Sequence, residues 1–107
     1  MALREVLKTE VNSALISYGN HDSDNGFFAD NISEVEKKLT AREYEPLGIC
    51  KNVPFECTSA GQSVAFVYKY DGDVCWCHMP EIYWFRLLKE CYGYSEADKI
   101  VSSILDR

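Results

Sequence analysis

Cys75, Cys77 and His78 form a Cys-x-Cys-His run, the densest grouping of soft ligands in the chain. Zinc takes thiolates and imidazoles at the corners of a tetrahedron, and Cys50 and Cys57 could complete such a site. The spacing argues against it. Zinc knuckles carry two to four residues between paired cysteines, whereas on a strand Cys75 and Cys77 share one face and His78 takes the other. Packed thiols are therefore expected, and neither metal nor cofactor is assigned. A metal- or thiol-dependent site on Cys57, Cys75 and Cys77 stands as the rival reading.

Catalysis by a cysteine needs a base to form the thiolate and a third group to orient that base. His21 and His78 are the two histidines available, and neither lies in a catalytic signature. There is no Gly-rich phosphate loop, no Gly-x-Ser-x-Gly and no His-Glu-x-x-His. No catalytic residue is assigned, and the chain is not expected to be an enzyme. The segment Asn20 to Gly26 superficially resembles a calcium loop, but its Gly arrives one place late and the twelfth position is Asn31 rather than Glu. Ala65-Phe66-Val67 matches a fragment of an RNA-recognition strand. Its basic, glycine and first stacking positions are instead Gln62, Ser63 and Val64.

What remains is recognition through rings and carboxylates. Asp22, Asp24, Asp30, Glu34 and Glu36 follow one another without an intervening Lys or Arg. Phe27 and Phe28 either dock this stretch on the core, the usual fate of large apolar side chains, or stand as an exposed contact. Aromatic residues crowd the second half of the chain, and Tyr combines apolar area with a polar tip suited to interfaces. Tyr70, Tyr83 and Tyr94 are expected at the surface. The candidate partner-binding set is thus Asp22, Asp24, Phe27, Phe28, Asp30, Glu34, Tyr70, Asp71, Asp73, Tyr83 and Tyr94.

Charge narrows the partner. Seventeen acidic against eleven basic residues give a formal charge of −6, which repels nucleic acid and anionic membranes and attracts basic surfaces. The physical type is that of a small inhibitor or immunity-type protein, such as phages and mobile elements encode. It would act by occluding a basic or nucleic-acid-handling partner. A homodimer through the apolar helix 81–92 is a further reading.

The elements that position these residues follow from periodicity. With 107 residues, 47% of them apolar, the chain suffices for a single domain spanning 1–107. No apolar run approaches the ~20 residues of a membrane span. The N-terminus alternates charged and apolar residues rather than forming a signal-peptide core. With an odd number of cysteines, five in all, this points to free thiols and a cytoplasmic location. Leu3, Leu7, Val11, Ala14 and Tyr18 predict one surface helix over 2–18, closed by a left-handed Gly19. Ser33 and Glu36 predict a capping box for a helix over 33–41. Pro46 to Cys50 reads as a strand, and Pro54 to Thr58 as a further one. Asp71-Gly72 between β-branched and aromatic runs predicts a two-residue hairpin over 63–79. Pro80 opens a helix over 81–92, Gly93 closes it, and Ser95 caps the last helix. The fold class is α+β: a three- to four-stranded antiparallel sheet centred on the hairpin, with two N-terminal and two C-terminal helices.

Overall fold

The structure, a computed structural model, describes residues 2–23, 26–51, 53 and 63–107. In chain order these form α1 (Leu3–Val6), α2 (Ala14–Tyr18), β1 (Asn20–His21), α3 (Ile32–Ala41) and β2 (Glu45–Cys50). The hairpin β3 (Ser63–Tyr70) and β4 (Asp73–Pro80) follows, then α4 (Glu81–Tyr92) and α5 (Tyr94–Leu105). The fold is α+β. The predicted strand over 54–58, with Cys57 and Asp24, lies outside the described residues.

The hairpin has the expected register. Asp71 and Gly72 take φ values of 53° and 85°, the left-handed conformation at both central positions that a type I′ turn demands. This sets Phe66 opposite Cys77, Val67 opposite Trp76 and Tyr68 opposite Cys75. Alternation then sorts the side chains into two cores. Val64, Phe66, Tyr68, Cys77 and Met79 join the larger one with Trp84, Leu87 and Leu88 of α4. Ala65, Val67 and Trp76 form the smaller one with Ile16 and Cys50. A sheet buried on both faces explains why both faces of the hairpin are apolar.

The N-terminal segment departs from expectation. The chain over 2–18 is two short helices rather than one, because residues between them bond to the edge of the sheet. Ile49 N–H donates to the Thr9 carbonyl at 2.8 Å, and Val11 N–H to the Ile49 carbonyl at 2.9 Å. Gly48 permits this approach, since a Cβ there would lie 2.6 Å from the Thr9 carbonyl oxygen. Leu3, Val6 and Leu7 are buried rather than superficial, and the Trp84 indole N–H donates to the Leu7 carbonyl at 2.8 Å. Gly19 is extended, at φ −76° and ψ 161°, and feeds β1, which pairs in parallel with β4. The sheet, in order β1-β4-β3-β2, is therefore mixed rather than wholly antiparallel.

Two caps also differ. Asn31, not Ser33, caps α3: its side chain accepts from Glu34 N–H at 2.9 Å. Helix α5 begins at Tyr94, one residue ahead of Ser95, straight after Gly93 at φ 87°. The predicted α4 boundaries match. No helix among the described residues is long and apolar enough to cross a membrane.

Candidate functional site

The tight turn carries Tyr70, Asp71 and Asp73 to one end of the sheet, where all three are exposed. Strand β2 runs alongside, with Glu45 opposite Lys69 across the ladder and on the other face of the sheet from Tyr70 and Asp73. Tyr44, just before Glu45, meets Tyr70 edge-on at a ring separation of 5.5 Å. Glu43 and Glu45 flank it and are exposed. The hairpin end thus presents a half-exposed ring beside Asp71 and Asp73, with Glu43, Glu45 and Lys69 exposed on the neighbouring strand ends.

Asp22 supports this surface from within. The Tyr68 hydroxyl donates to Asp22 Oδ2, and the Tyr44 hydroxyl reaches the same oxygen at 3.4 Å. The two rings stack at 4.4 Å. Burial first, and the Asp22 contact second, push both phenols above the ordinary tyrosine range. They stay protonated at neutral pH and serve as donors. Asp22 is thus a half-buried acceptor fixing the Tyr44–Tyr68 stack rather than a free rim charge.

The other candidates fall elsewhere. Phe27 is fully buried against Tyr44, Phe66 and Tyr68, so it docks its loop and offers no contact to a partner. Phe28 is half-buried, packed on Phe66 and Tyr83. Tyr83 is not the expected free ring: its hydroxyl donates to the Ala29 carbonyl, and burial pushes the phenol up to about 12. Asp30 is exposed, 3.9 Å from Arg86, and Glu34 pairs with Lys37 at 3.4 Å. Tyr94 is exposed and edge-on to Phe85 at 5.4 Å. The structure brings together Tyr70, Asp71 and Asp73, sets Asp22 behind them on the Tyr44 and Tyr68 hydroxyls, and leaves the α3–α4 group and Tyr94 apart. Sequence reasoning missed Tyr44, Glu43 and Glu45. The signal was present as a ring between two carboxylates, but only strand register sets it beside Tyr70.

The thiols have a different environment. Cys77 is buried in the larger core and Cys75 half-buried beside it. Burial pushes the Cys50, Cys75 and Cys91 thiols up, which disfavours the thiolate that metal binding and nucleophilic attack both require. His78 lies on the opposite face of the sheet with His21 and Trp76, the imidazoles 5.5 Å apart. Burial, and then His21, lower the His78 pKa and favour its neutral form. Among the described residues no three His, Cys, Asp or Glu side chains converge as a metal site would need. No family model, curated protein or solved structure matches this chain.

Proposed function

We propose that this chain is a protein-binding module that uses its hairpin end to occlude a basic surface on another protein. One observation carries the reading: Tyr70 is about half exposed, at 49%, in the same turn as the exposed Asp71 and opposite the exposed Asp73 across the ladder. A tyrosine supplies buried area at little entropic cost, and the surrounding carboxylates steer a cationic partner toward it. The rigid turn and the Asp22-anchored stack preorganise the contact, which lowers the ordering cost of association.

The test is capture from a lysate of the native host, comparing the wild type with a Tyr70→Ala/Asp71→Asn/Asp73→Asn variant. A basic protein recovered by the wild type at low salt, and lost in the variant, is the expected outcome. It should also be lost near 1 M salt, where the screening length falls to about 3 Å. Equal recovery by both proteins would remove the hairpin end from consideration.

A further inference from the structure

We infer that the residue the hairpin end takes from its partner is an arginine, its guanidinium laid on the Tyr70 ring and its N–H groups directed to Asp73. This rests on the reading of that end as a recognition surface and names what the surface reads.

Tyr70 and Asp73 stand directly opposite each other across the ladder, on one face of the sheet. Side chains so placed have their Cβ atoms about 5 Å apart, a separation that one guanidinium can bridge. Both residues are exposed. Tyr44 meets Tyr70 edge-on, and a single neighbour covers at most one face of a ring. Tyr44 is itself held by its stack on Tyr68, so Tyr70 leans on a fixed support. Among the described residues neither Asp71 nor Asp73 takes part in an ion pair. Lys69, the adjacent cation in the chain, alternates to the other face of the sheet, opposite Glu45. No described residue therefore supplies a cation to this ring and this carboxylate.

A ring beside a carboxylate discriminates between cations. An aromatic face attracts positive charge, and arginine is found over rings more often than lysine. The guanidinium is planar and weakly hydrated, so it can stack on the ring while its edge donates to a carboxylate in a matching fork. A lysine ammonium is a compact, strongly hydrated point charge, and it gives up more water for the same contact.

Two peptides of equal length and charge separate the cases, one carrying arginines in a Gly/Ser frame and its twin carrying lysines. Titrated into the isotope-labelled protein, the arginine peptide should shift the Tyr70 and Asp73 resonances. It should bind about two- to fivefold tighter than its lysine twin, the scale of an exposed cation–ring contact. Tyr70→Phe keeps the ring and should keep that preference. Tyr70→Leu keeps apolar area without a π-face and should bind both peptides alike, with an unchanged circular dichroism spectrum. Asp73→Asn should weaken the arginine peptide more than the lysine one. Equal affinities in the wild type, with the same resonances moved, would overturn the arginine while leaving the hairpin end as a reader of basic surfaces. So would a preference that survives Tyr70→Leu. If neither peptide moves Tyr70 or Asp73, the hairpin end is no recognition surface and both readings fall.

Discussion

Asp22 shows how a residue's type can be read correctly while its task is missed. Its carboxylate lies in an acidic stretch, so the sequence offers it as a surface charge, yet it accepts hydrogen bonds from the hydroxyls of Tyr68 and Tyr44. Tyr68 is fully buried. A buried hydroxyl stripped of its acceptor costs about 1–3 kcal/mol, more than the net worth of the bond itself. Asp22→Ala should therefore lower the unfolding free energy in urea by about 1–3 kcal/mol. In a Tyr68→Phe background the same change should cost clearly less, because the fully buried hydroxyl is gone and only the half-buried Tyr44 hydroxyl loses its acceptor. Additive costs in that double-mutant cycle would show that the pair is not coupled and that Asp22 acts elsewhere.

At the scale of elements, what was legible was whatever local chemistry decides. The Asp71-Gly72 turn fixes which residues of β3 and β4 face each core, and an apolar stripe bounded by Pro80 and Gly93 delimits α4. The N-terminal helix was misread because its period of three and four is genuine as far as Leu7, after which a tertiary contact overrides it. Thr9 and Val11 give their backbone groups to Ile49, a partner forty residues away that no local window contains. Gly48 is the matching half of that contact, and its role was equally hidden. Gly48→Ala sets a Cβ against the Thr9 backbone carbonyl, with the Val11 side chain closer still, and backbone cannot swing aside. Such overpacking costs about 1–3 kcal/mol and occasionally more. Gly72→Ala meets nothing within 4 Å, and its cost is conformational, about 1–2 kcal/mol for a left-handed L-residue. Thermal unfolding should show loss in both variants. Only Gly48→Ala should also speed hydrogen exchange at Val11 and Ile49; equal exchange in the two variants would contradict a wedge at that edge.

For the whole molecule, the sequence revealed a surplus of carboxylates but not their distribution, since that depends on which loops the sheet gathers at one end. Asp71 and Asp73 lie there, Asp22 stands inside as the acceptor of two hydroxyls, Asp30 and Glu34 lie elsewhere, and Glu45 arrives only through the register of β2 on β3, opposite Lys69. Like charges held together on one surface oppose folding, so the hairpin end should cost the free chain a little stability. Replacing Asp71 and Asp73 by Asn tests this without disturbing the turn, because Asn-Gly suits a type I′ loop as well as Asp-Gly does. At low salt the double variant should be as stable as the wild type or more stable by a few tenths of a kcal/mol, the scale of exposed charge interactions. That difference should vanish near 1 M salt, where screening acts within about 3 Å. The same variant should bind the captured basic partner more slowly, with its dissociation rate less affected, as loss of steering predicts. A variant markedly less stable than the wild type would mean that these carboxylates hold the fold together. They would then owe their place to folding, and the hairpin end would lose its claim as a recognition surface.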